Sequence, residues 1–226
     1  MRVWIGRVII GIGVLCLLGG AGLFGYNVYQ ARHAEKTSGE VLDVLMEKKQ
    51  EQEQKQDAGA GDVLSDDSEI LVTEVEEEPV DLHARFPKKD MPTIEVNGNA
   101  YIGTLEIPDL KLSLPVMEEW SYAKLTIAPC RFEGSAYRDD LVVCAHNYAA
   151  HFGGLINLEK GSQIVFTDNA GNVFTYEMLG SEELEPTAVD EMTTATEKDK
   201  WDLTLFTCNW TGSARNAFRF RRVGLK

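Results

Sequence analysis

The chain has 226 residues, enough for one or two domains, and the last 130 or so suffice for one sizeable core. Its formal net charge is -14, but residues 35–95 alone carry 18 Asp and Glu against 7 Lys and Arg, so the excess lies mostly outside that core. This acidity argues against a nucleic-acid partner, and four cysteines without a CxxC pair exclude a cysteine-dense disulfide scaffold.

In chain order, Val8 to Leu23 is apolar and uncharged, and the low-polarity stretch extends to Tyr29, about the 20 residues a bilayer core requires. Arg2 and Arg7 precede it, which predicts a cytoplasmic N-terminus and everything after residue 30 outside. A cleaved signal peptide is the competing reading. Ala31-Arg32-His33-Ala34 is a poor cleavage site, so residues 1–30 are expected to be a cytoplasmic tip and an uncleaved anchor. Thr37 to Glu40 has capping-box spacing before Val41, Leu42, Leu45 and Met46, which predicts a short, solvated helical stalk over 31–57. Residues 58–98, with the acidic cluster Glu74 to Glu78, read as a flexible acidic linker.

From Asn99 the pattern changes to short apolar runs broken by turn residues. Strands are expected over Tyr101 to Ile107, Leu112 to Met117 (at an edge, because of Pro115), Leu125 to Ala128 and Leu141 to Ala145. A hairpin is expected from Ser162 to Leu179, turning at Asn169-Ala170-Gly171-Asn172. Ser181 to Lys200 is polar, with at most one helical turn from Ala188 to Met192. Trp201 to Thr207 and Ala217 to Val223 complete seven or eight strands, so residues 99–226 form an all-β barrel or sandwich.

Two of these strands end on reactive side chains. Leu141 to Ala145 delivers His146, Trp201 to Thr207 delivers Cys208, and Arg215 opens the final strand after the Gly212-Ser213 turn. A thiol beside positive charge ionises more readily, a histidine can move the protons, and a guanidinium can hold an oxyanion. Together the three could support nucleophilic acyl transfer, provided the strands are neighbours. A strand cysteine by itself is more simply a small buried hydrophobe. Strand alternation places Arg215 and Arg219 on one face of the last strand and Phe218 and Phe220 on the other.

Thr204-Leu205-Phe206-Thr207-Cys208 resembles the TLxTC signature of sortases, the membrane-anchored cysteine transpeptidases of Gram-positive bacteria. Tyr101 to Pro108 is similar to that family's first core strand, and Leu141 to Asn147 to its strand leading to the catalytic histidine. The resemblance spans roughly residues 99–226. It implies an eight-stranded β-barrel that cleaves an LPxTG-like sorting signal after Thr and holds the acyl group as a thioester. The acyl group then passes to an amine of a peptidoglycan precursor or a pilin. It also implies Cys208 as nucleophile, His146 rather than His151 as acid/base, and Arg215 rather than Arg219, Arg221, Arg222 or Arg138 as the clamp. Thr207 and Asn147 are expected to contact substrate.

Ala145 replaces the glycine common before the histidine, and Cys144 stands where a small apolar residue is usual. Cys130 and Cys144 lie symmetrically about Tyr137 and could be bridged in a hairpin, although simple buried thiols are the plainer expectation. Cys144-x-His146 lacks two further ligands, so no metal site and no cofactor are expected. Glu182, Glu183 and Glu185 read as a solvated loop rather than a calcium site. Two competing readings are a membrane-tethered module that binds surface proteins without chemistry, and another cell-wall cysteine peptidase or L,D-transpeptidase. The retained Cys, His and Arg disfavour the first; the TLxTC match and the absence of a glycine before Cys208 disfavour the second.

Overall fold

The computed structural model describes residues 2–57, 81–195 and 200–225. Helix α1 (Arg2–Asp57) is continuous; α2 (Leu82–Arg85), α3 (Tyr122–Leu125) and α4 (Val189–Thr193) are single turns. The strands are β1 (Ile94–Val96), β2 (Asn99–Ile107), β3 (Leu112–Met117), β4 (Cys130–Glu133), β5 (Leu141–Cys144), β6 (Gln163–Asp168), β7 (Val173–Leu184), β8 (Leu203–Cys208) and β9 (Arg215–Leu225).

They pair in the order β1-β2-β3-β4-β5-β8-β9-β7-β6, and β2 also pairs with β6. That last pairing closes β2 to β9 into an eight-stranded barrel, with β1 added at the start of β2. Closure pairs the edges of β2 and β6, and the alternating pleat sends successive residues inward and outward. Ile102, Leu105, Val143, Phe166, Leu205 and Phe218 belong to the interior cluster. Val142, Cys144, Phe206 and Ala217, one residue out of phase, belong to a second cluster on the outer face. β5 is parallel to β8, and β8 is antiparallel to β9, so these three strands form one continuous ribbon.

The outer cluster also takes in Val41 and Leu45 of α1. The stalk is therefore not a separate solvated helix: Ala34, Ser38, Val41 and Leu45 are buried at three- and four-residue spacing, one face of a helix. Ser38 Oγ donates to Ile127 O at 2.7 Å and Lys48 Nζ to Glu95 O at 2.6 Å. The capping box at Thr37 is unused. Thr37 Oγ1 instead donates to His33 O at 2.9 Å within the uninterrupted helix, because packing on the barrel supplies stability that an isolated helix lacks. One stretch of α1 is also long and apolar enough to cross a membrane.

Part of the expected linker is structured. Asp81 caps α2 by accepting from the His83 and Ala84 amides, Phe86 stacks on Tyr137 with centroids 3.8 Å apart, and β1 pairs with β2. The remainder, 58–80, with the Glu74 to Glu78 cluster, lies outside the described residues. Leu125 to Ala128 is not a strand; Ser121 accepts from Lys124 N at 3.1 Å and starts α3. Pro115 is accommodated because β3 meets β4 at a single pair, Met117↔Cys130, leaving the rest of that side without a strand partner. The β4 to β5 connection turns at Gly134 (φ 73°), where a Cβ would lie 1.9 Å from Asp140 O.

Candidate active site

The register of the β5-β8-β9 ribbon brings the three predicted side chains into one row. Cys208 is the Cα partner of Arg215 across the β8–β9 ladder. Cys144 is the partner of Phe206 across β5–β8, and the Ala145 amide then donates to Phe206 O at 3.2 Å. His146 and Cys208 each lie two residues beyond that pair; Cys208 keeps the outward phase of Phe206, while His146 follows the end of β5. Thiol and guanidinium thus stand opposite each other on adjacent strands, and the histidine lies two residues past the end of β5, the strand beside β8.

His146 is half-buried, and burial lowers its pKa from the ordinary value. Its ring meets Tyr148 at 4.8 Å between centroids, and Tyr148 in turn meets His151 at 5.8 Å. His151 is fully buried, its ring beside the Ile127 backbone. Burial, then the neighbouring His146, lowers its pKa to about 4, so it is a neutral packed group at neutral pH. The loop between the two histidines is closed by its own backbone. Phe152 N donates to His146 O at 3.2 Å, and Gly153 N donates to Tyr148 O at 2.8 Å. A Cβ at Gly153 would come within 2.8 Å of that same oxygen.

The five candidate arginines are in different situations. Arg138 donates to Phe86 O, Arg221 to Lys200 O, and Arg222 is held in a two-point pair by Asp139. Arg219 is buried. It donates to Glu182, Thr204 Oγ1, Met192 O and Glu191 O, and lies over the Trp201 ring at 4.9 Å. Among the described residues Arg215 bonds only to carbonyls of its own turn, Ala214 O at 3.2 Å and Gly212 O at 3.5 Å, and it stands opposite Cys208. Glu182, expected in a solvated loop, instead lies in β7 and is engaged by Arg219.

Thr207 and Asn147 are on the other side of the ribbon from this row. Thr207 is buried, its hydroxyl has no partner among the described residues, and with Asn147, Asn209, Asn216, Glu183 and the exposed Trp210 it lines a cavity of about 300 Å³. A larger cavity of about 560 Å³ is walled by Trp120, Arg131, Phe132, Glu118 and Thr193. His146, Cys208 and Arg215 do not line it. Its link to their row is Phe132, which meets Phe206 edge-on at 5.2 Å and packs on Trp120 at 5.4 Å. Trp120 and Phe132 went unnoticed in the sequence because neither belongs to a periodic run; their aromatic character was the available signal.

The sortase domain model matches residues 105–221, more than half of the chain. The chain belongs to the sortase family. Family membership implies a cysteine transpeptidase in general terms. Among solved structures, the sortase is similar to sortase C of Streptococcus pneumoniae, with 22% identity over 57% of this chain and 71% of that one, and a TM-score of 0.50. Sortase C1 of Streptococcus suis shares 26% identity over 55% and 73% of the two chains, with a TM-score of 0.47. Sortase C of Clostridium perfringens SM101 shares 20% over 64% and 82%, with a TM-score of 0.48. A search of curated proteins found no match.

Proposed function

We propose that this sortase is a membrane-anchored transpeptidase in which Cys208, His146 and Arg215 act together on an LPxTG-like sorting signal. The observation that supports the proposal is the strand register that sets Cys208 opposite Arg215, with His146 two residues past the end of the strand beside β8. The Cys208 sulfur attacks the Thr carbonyl carbon as the thiolate, and Arg215 donates to the oxygen on which negative charge develops. His146 gives a proton to the departing amine as the C–N bond breaks, leaving a thioester. The incoming amine then attacks the same carbonyl and loses a proton to His146, and the Cys208 thiolate leaves. The acceptor is an amine of a peptidoglycan precursor or a pilin, and the chain functions without a cofactor.

The aromatic wall of Trp120, Phe132 and Phe206 suits the apolar part of the signal, while Asn147 and Thr207 contribute to substrate binding through the cavity they line. The apolar part of α1 anchors the chain, with Arg2 and Arg7 on the cytoplasmic side and the barrel outside a Gram-positive cell. Because Val41 and Leu45 pack on the barrel soon after the apolar run, the barrel is held near the membrane surface.

The test is incubation of the detergent-purified full chain with a library of LPxTG-like peptides, with and without an added amine. Cleavage after Thr, a thioester captured on Cys208 and amine-dependent product are expected. Cys208→Ala should abolish the thioester, and His146→Ala should nearly do so. An active Cys208→Ala protein refutes the assignment.

A further inference from the structure

Cys130 and Cys144 are direct Cα partners on the antiparallel strands β4 and β5. Both belong to the same outer-face cluster, so their side chains leave the ladder on one side. Directly opposed residues of an antiparallel pair have Cα atoms about 4.5–5.5 Å apart, inside the range a disulfide spans. Their sulfurs are free thiols in the structure. Cys130 Sγ lies 3.4 Å from Ala128 O, and Cys144 Sγ 3.5 Å from Cys130 O, the backbone of its opposite number.

We propose that Cys130 and Cys144 are joined by a cross-strand disulfide in the exported protein, a covalent staple that ties β4, whose seam with β3 is a single pair, to β5. Strand β4 has four residues. It touches β3 at the single pair Met117↔Cys130, and its ladder with β5 is interrupted by a bulge after Arg131. Cys130 is therefore the one residue of β4 paired with both neighbouring strands, and Cys144 lies two positions before His146. A bond here ties the seam to the strand that carries the histidine.

Pairing also selects the partner. Cys208 is offset by two residues from Cys144 across β5–β8, where Phe206 is opposite, so the nucleophile keeps its thiol. Cys16 is on the apolar helix, outside the barrel. The two thiols lose their protons and two electrons as the sulfur–sulfur bond forms, and an external disulfide, small-molecule or protein-borne, is reduced to two thiols. Both cysteines are buried, and burial raises Cys130 to about 12 and Cys144 higher still, so thiolate is scarce in the folded barrel. The bond consequently forms while the hairpin is still open, and afterwards it is shielded from reductants.

The inference rests on the extracellular placement of the barrel. Full-length protein taken from native membranes, denatured in N-ethylmaleimide and digested without reduction, should carry the label on Cys16 and Cys208 only. It should also yield a linked pair of peptides containing Cys130 and Cys144. Four labelled cysteines, both from membranes and after refolding the full chain in oxidised and reduced glutathione, overturn the proposal. Reduction of the unfolded chain before refolding should lower the wild-type melting temperature by about 5–15 °C. The Cys130→Ala/Cys144→Ala protein should not respond to the same treatment; an equal response in both proteins also refutes the staple. Peptide transfer by a protein with four free thiols would sink this inference alone. A linked pair without any acyl transfer would sink only the proposed function.

Discussion

Arg215 and Arg219 stand on one face of β9, four residues apart, and differ in almost everything else. Arg219 is surrounded: one carboxylate, one hydroxyl, two carbonyls and an indole ring meet its guanidinium. Arg215 has only weak bonds to its own turn and faces a cysteine. His146 and His151 repeat the contrast, one half-buried beside the thiol strand, the other sealed in the loop behind it. Sequence period decides which face a side chain takes, and the neighbours then decide whether it is committed to structure or left for chemistry.

The largest expected effect separates the two arginines. Arg215→Ala should lower kcat/KM for an LPxTG-like peptide by about 10²–10³, the loss typical of removing one oxyanion donor, with little change in thermal stability. Arg219→Ala should do the reverse. Removing a buried guanidinium leaves Thr204, two carbonyls and part of Glu182 without their partner, costing about 2–4 kcal/mol of stability, since Glu182 is half exposed and its share is screened. Peptide turnover per folded molecule should change far less. Denaturant melts and steady-state kinetics on both variants check this, and a stable but inactive Arg219→Ala protein would invert the comparison.

The histidine pair gives the next effect. A base whose folded pKa is depressed binds fewer protons in the native state than in the unfolded state, so it lowers stability as pH falls from about 6.5 through its folded value. For His151, held down to about 4, that amounts to about 2–3 kcal/mol between neutrality and pH 4. His151→Phe should flatten this part of the curve of unfolding free energy against pH, leaving the contribution of His146, shifted in the same direction, and that of Asp202, whose pKa burial raises and which acts in the opposite sense. An unchanged curve would mean that His151 is not the buried neutral group described here.

The parts of this molecule that were legible are those whose signal is carried by one segment. The apolar run Leu141 to Ala145, the β-favouring run up to Cys208 and the Arg/Phe phase of β9 can each be read without help from the rest of the chain. The Asn169 to Asn172 turn and the single helical turn near Val189 were legible for the same reason. What could not be read depends on partners. β4 is too short to show a period and is a strand because Met117 and β5 lie beside it. Leu125 to Ala128 has the composition of a strand, yet Ser121 caps a helical turn there. The separate cavity reached by Thr207 required the closed barrel.

The smallest effect tests where α1 belongs in this division. Ser38 is nearly buried, 89 residues from its hydrogen-bond acceptor Ile127 O, so its hydroxyl is committed to holding the helix on the barrel, as Arg219 is committed to holding the β7–β8 connection. Ser38→Ala should cost about 1 kcal/mol, because one buried hydrogen bond is lost and a carbonyl is left without its donor. The loss should appear as faster hydrogen exchange in residues 34–48 and 126–128 of the full chain in detergent, with peptide cleavage little changed. A solvated stalk, by contrast, would exchange rapidly in the wild type and be indifferent to the substitution. The exchange rate of this one helical face therefore separates a barrel docked on its anchor from one that swings on a tether.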